Sequence, residues 1–173
     1  MIVAAILVIF PFCMAHAAVS DLLSMTIANR VSAVLIVSFL VLAPLCGMEW
    51  SVIGIHFATA ACILAVTFVL FSLGTMGGGD AKLLAATSLW FGFGIPLVEY
   101  LATAAILGGI LTFGVLMFRG SALAVYGGQI DFLRKIGSKD AGVPYGIALG
   151  FAGLLTFPSS PLGIWVLAQL VNS

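Results

Sequence analysis

Residues 51–73 read SVIGIHFATAACILAVTFVLFSL, an unbroken run without Asp, Glu, Lys or Arg. Coiled as an α-helix rising about 1.5 Å per residue, the run is roughly 35 Å long, enough to cross a hydrocarbon core of about 30 Å. The rest of the chain confirms that lipid is its solvent. Its 173 residues include six Lys/Arg and six Asp/Glu, 7% charged in all, against 63% hydrophobic and twenty Gly. A soluble domain carries about 25% charged and 45–50% apolar residues, so this chain lacks the polar surface that water requires. A net charge of zero leaves no surplus of Lys/Arg to track phosphates, which excludes nucleic-acid binding. At about 20 residues per crossing, the length allows six or seven spans and no further soluble domain.

Outward from 51–73, five more apolar runs are legible: 2–19, 31–45, 80–96, 97–118 and one from Pro144 onward. The expected fold is therefore all-α, a single polytopic domain over 1–173 with about six transmembrane helices. Segment 119–143 is the one long polar stretch and reads as a loop. The fourth run is short, as expected of a helix that starts below the membrane surface or packs against protein rather than lipid. Pro158-Ser159-Ser160-Pro161 interrupts the sixth, so 162–171 reads as a continuation, a re-entrant piece or an interfacial helix. Ala15-His16-Ala17 imitates a signal-peptide cleavage site, but no Lys or Arg precedes the apolar stretch, and a retained first helix is expected.

Six alternating spans put Arg30, Lys82, Arg119, Arg134, Lys135 and Lys139 on one side and Glu49 and Glu99 with both termini on the other. By the positive-inside rule the basic side is the cytoplasm.

With so few charges, each acid can be questioned singly. Asp21 closes the first span and Asp80 opens the fourth, directly after Gly77-Gly78-Gly79. Two spans lie between them, so both carboxylates belong at the cytoplasmic face. Two carboxylates at close range repel when both are ionised, so such a pair shares one proton. One can act as base toward water while the other polarises a peptide carbonyl, the chemistry of an aspartic protease. The glycines leave room for a substrate strand beside Asp80. The plainer alternatives are a turn with Asp80 as N-cap, and Asp21 as a solvated loop acid offsetting Arg30. Asp131 and Asp140, among Arg134, Lys135 and Lys139, read as a solvated face. Lys82 reads as an anchor to the headgroups, with an influence on a neighbouring carboxylate as the second reading.

Other chemistries find little support. Cys13, Cys46 and Cys62 stand singly, without CxxC, and read as small apolar side chains. His16 and His56 have no acidic neighbour at helical spacing, HExxH and G-x-S-x-G are missing, and the glycine cluster lacks the G-K-[ST] of a phosphate loop. Gly146-x-x-x-Gly150 reads as a helix-packing notch. No metal and no cofactor is expected.

Gly77-Gly78-Gly79-Asp80 resembles the G-x-G-D motif of intramembrane aspartyl proteases. Ser20-Asp21-Leu22 followed by Ile27-Ala28-Asn29-Arg30 resembles the first-aspartate motif of type IV prepilin peptidases. The six-span layout and Val143-Pro144-Tyr145-Gly146 are similar to the short branch of that family, which acts on Flp-type prepilins of tight-adherence pili. The resemblance implies that Asp21 and Asp80 are the catalytic pair, with Gly77, Gly79, Lys82 and Asn29 as supporting motif residues. It implies a bacterial inner-membrane enzyme, with cleavage at the cytoplasmic face after the leader of a prepilin or pseudopilin, and a link to pilus or type II secretion machinery. Two departures bear on it. Ala28 stands where family members usually carry Pro, which implies a looser turn. The longer relatives' N-terminal domain with paired CxxC, tied to N-methylation, has no counterpart here, so methyl transfer is not expected. Presenilin-type proteases place Tyr before the first aspartate, where this chain has Ser20.

The reading is thus a prepilin leader peptidase. Its rivals are a small ion or proton-coupled transporter using Asp21 and Asp80, and a non-catalytic pilus or secretion assembly subunit.

Overall fold

The computed structural model describes residues 1–121 and 142–172. Most of loop 119–143, with Asp131, Arg134, Lys135, Lys139 and Asp140, lies outside them. Seven α-helices are described: α1 Ile2–Ser24, α2 Asn29–Leu45, α3 Trp50–Ser72, α4 Gly78–Phe91, α5 Ile95–Arg119, α6 Tyr145–Thr156 and α7 Pro161–Val171, with a short 3₁₀ turn at Phe157–Ser159. Among the described residues, α1, α3 and α5 are long and apolar enough to cross a membrane. The pair α6 and α7, bent by 50° at Ser160, makes a fourth if it is one span. The six expected runs each become helical, but α2, with 17 residues, and α4, with 14, are shorter than a full crossing.

α4 is short because it is internal. From Ala85 to Phe91 every residue is buried, and the helix packs on α3, α2 and α6 at once. Small residues at Ala81, Ala85, Ala86 and Ser88 let those neighbours approach closely. Its far end is locked by aromatic packing: Trp90 donates its Nε1–H to the Leu35 carbonyl at 3.0 Å and lies 4.9 Å from the Phe10 ring, which in turn stacks on Phe157 at 4.7 Å. Phe91 stacks on Tyr100 at 4.8 Å. By contrast, α3 and α5 turn most of their apolar surface outward, toward lipid.

His56 is not a loose polar residue in a span. Its Nδ1 lies 2.7 Å from the Leu89 carbonyl, and its ring stacks on Phe39 at 5.1 Å, so it ties α3 to α4 and α2. Gly92, which ends α4 at φ +65°, closes against that ring: a Cβ there would lie 2.5 Å from His56 Cε1. Gly92→Ala combines an unfavourable φ with overpacking, each costing roughly 1–3 kcal/mol. Its unfolding midpoint in detergent is expected to fall accordingly, and wild-type stability would contradict this account of the α4 stop.

Candidate active site

Asp21 does not sit in a loop. The expected polar stretch after residue 19 is helical through Ser24, which corrects the solvated-loop reading. Local hydrogen bonds explain the extension: Ser24 Oγ donates to the Ser20 carbonyl at 2.7 Å, and Ser20 Oγ to the Thr26 carbonyl at 2.8 Å. Met25 then turns left-handed at φ 56° and caps the helix with its N–H on the Asp21 carbonyl. This holds Asp21 on the inner face of α1, 5% exposed, without an ion pair to Arg30. Its Oδ2 accepts the backbone N–H of Gly146 at 2.7 Å, a bond spanning 125 positions of sequence.

Asp80 lies in the first turn of α4. Gly77, not Asp80, is the N-cap, which corrects the N-cap alternative. The Asp80 carboxylate reaches back to the Gly77 N–H, as the third helical residue does in a capping box. The contact is close enough that a Cβ on Gly77 would lie 2.7 Å from Asp80 Oδ2. Oδ1 of Asp80 is buried with no hydrogen-bond partner among the described residues. Buried oxygens of this kind are rare and invite a donor.

Asp21 and Asp80 line one cavity of about 830 Å³ and are near enough for the charge of Asp21 to act on Asp80. Among the described residues no Lys, Arg or His lines it. Tyr145 borders it too, within range of the Asp80 charge, its hydroxyl 3.4 Å from the Ala104 carbonyl. From the carboxylates the cavity continues past Leu84 to Leu101, Ala104, Ala105 and Thr112 of α5. Gly74, Thr75, Met76 and Gly142 line it as well.

The remaining motif residues divide. Gly79 faces Ile27, and a Cβ there would approach Ile27 Cβ to 3.3 Å. Lys82 points away from the carboxylates and donates to Asn29 Oδ1 at 3.2 Å, so it does not pair with Asp80. Ala28 takes φ −66°, the angle Pro would impose at this position. Sequence reasoning missed two partners. Gly146, read as a packing notch, does pack on α1, yet it also donates to Asp21. Ile27 wedges between Gly79 and Gly146 and joins the two aspartate segments. Val143-Pro144-Tyr145-Gly146 was the available signal for the first; for Ile27 there was none. Among the described residues no three His, Cys, Asp or Glu side chains group as metal ligands.

A pair of acids lining one cavity, one buried and one half-buried and with no cation among the described lining residues, can share a proton and split a peptide bond by acid–base catalysis. Comparison with known proteins agrees: the sequence profile described as the Type IV leader peptidase family matches residues 8–115, a segment that contains both aspartates. No curated protein and no solved structure matches the chain significantly.

Proposed function

The chain belongs to the type IV leader peptidase family, and from that premise we propose that Asp21 and Asp80 are the catalytic pair of this aspartic-type, multi-pass prepilin peptidase. The observation that carries the assignment is one cavity shared by the two carboxylates, with no basic side chain among its described lining residues. In this reading one carboxylate takes a proton from water as the water oxygen bonds to the scissile carbonyl carbon. Its protonated partner donates to the carbonyl oxygen. Collapse of the tetrahedral species breaks the C–N bond, and the nitrogen leaves with a proton from the pair. Asp80 Oδ1, buried and without a hydrogen-bond partner among the described residues, is suited to meet the water or the carbonyl.

We further propose that the site opens to the cytoplasm, that the substrates are Flp-type prepilins, and that no methyl transfer follows. The one-sided distribution of basic residues supports the first. The short-branch sequence features support the other two. The transporter and assembly-subunit alternatives give way to the family membership. The deciding experiment co-expresses the chain with an Flp-type prepilin and determines the product's mass and new N-terminus. A leader-length loss with an unmethylated N-terminus is expected. Intact substrate with several prepilins, or a methylated product, would overturn the corresponding part.

The apolar segment of a prepilin has a route to the pair along α5, where Ala105 is exposed and Gly109 has open space beside its Cα. Ala105→Trp would obstruct that wall. Misplacement on the order of 1 Å costs about 10²-fold in rate. Cleavage of membrane-anchored prepilin is expected to fall by about that factor, and cleavage of a short soluble leader peptide by much less. Equal losses on both substrates would refute the route.

A further inference from the structure

α4 divides the bundle. Asp80 and Leu84 face the aspartate cavity, whereas Lys82, Ala85 and Leu89, on its other side, line a second hollow of about 480 Å³. Asn29 and Ser32 of α2 and Ala61 of α3 complete its walls. α2 and α3 scarcely touch each other and both lean on α4, so the hollow opens as a seam between them. It extends about 10 Å from Lys82 down to Leu89.

Its chemistry is two-ended. The depth is lined by Ala, Ile, Phe and Leu side chains, and the polar groups gather at the mouth. There Lys82 is exposed and donates one hydrogen bond to Asn29 Oδ1, which leaves further ammonium donors and the amide N–H₂ of the equally exposed Asn29 for a ligand. Arg30 is exposed next to Asn29, and among the described residues no acid lines the hollow. A cationic mouth over an apolar slot at a helix-bundle surface fits an anionic amphiphile.

We propose that this hollow binds an anionic phospholipid of the surrounding bilayer, its phosphate accepting from Lys82 and Asn29 and one acyl chain lying between α2 and α3 against Ala85 and Leu89. A phosphatidylcholine offers the same phosphate with a cation beside it, for which the hollow has no acidic partner among the described residues.

The site is tested by placing the protein in nanodiscs of equal phosphatidylglycerol and phosphatidylcholine and weighing the lipids retained after mild extraction by native mass spectrometry. The wild type is expected to retain phosphatidylglycerol about fivefold over phosphatidylcholine, the preference one basic side chain gives near a charged surface. Lys82→Gln should abolish the preference, Lys82→Arg should keep it, and Ala61→Trp should reduce retention of both lipids. Asp80→Asn, on the opposite face of α4, should bind lipid as the wild type does. Equal retention in the wild type, or a preference that survives Lys82→Gln, overturns the proposal. So does a dimer that loses population with Ala61→Trp, since a second copy of the chain would then be the occupant.

Discussion

Either Asp21→Asn or Asp80→Asn is expected to lower prepilin cleavage by about 10³- to 10⁴-fold while leaving the protein folded. Asn preserves volume and can still accept a hydrogen bond through its carbonyl oxygen. The Gly146 N–H therefore keeps an acceptor at position 21, and the Gly77 N–H keeps one at position 80. What Asn cannot do is take and return a proton. Unfolding midpoints should stay near the wild type, which separates lost chemistry from lost structure.

The double variant sharpens the test. In a pair that shares one proton, each carboxylate depends on the other, and removing the second after the first removes little more. Asp21→Asn/Asp80→Asn should thus cleave about as slowly as either single variant. Multiplicative losses would mean that the two acids act independently, and cleavage that survives either substitution would sink the assignment. The measurement is a time course of prepilin processing in purified, lipid-reconstituted enzyme, with single-turnover rates where the substrate can be supplied in one batch.

The sequence made the helices readable because a span is a local property. Charge-free runs such as 51–73 need no knowledge of the neighbours to be recognised, and α3 begins and ends within one residue of that run. The shortness of α4 was legible too, but its central position was not, since it depends on contacts with α2, α3 and α6 that are distant in sequence. The solvated-loop alternative for Asp21 stayed open for the same reason. Ser20, Ser24 and Asp21 look like a polar loop until the hydroxyls are seen to bond back onto the helix and the carboxylate is seen to meet Gly146. Topological parity put both acids at one face. The actual partners of each acid are backbone N–H groups of glycines, which carry no side-chain signal at all.

Gly146 is where that hidden layer carries the second large prediction. A Cβ on Gly146 would lie 2.7 Å from Ile27 Cδ1 and 2.9 Å from both Cβ and Oδ2 of Asp21. Gly146→Ala therefore forces α6 away from α1 or turns the Asp21 carboxylate aside, and either movement lengthens the 2.7 Å bond from the Gly146 N–H. Overpacking costs roughly 1–3 kcal/mol of stability, and displacing a catalytic carboxylate by about 1 Å costs on the order of 10²-fold in kcat. Gly150→Ala is the matched comparison. It lies one helical turn on in the same α1–α6 contact, where its Cβ would meet the Met14 carbonyl at 2.7 Å and Ala18 Cβ at 2.9 Å, away from the aspartates. Both variants should unfold earlier in detergent, but only Gly146→Ala should lose about two orders of magnitude in kcat when assayed well below its midpoint. Equal kcat values would reduce Gly146 to a packing residue and remove its role in orienting Asp21.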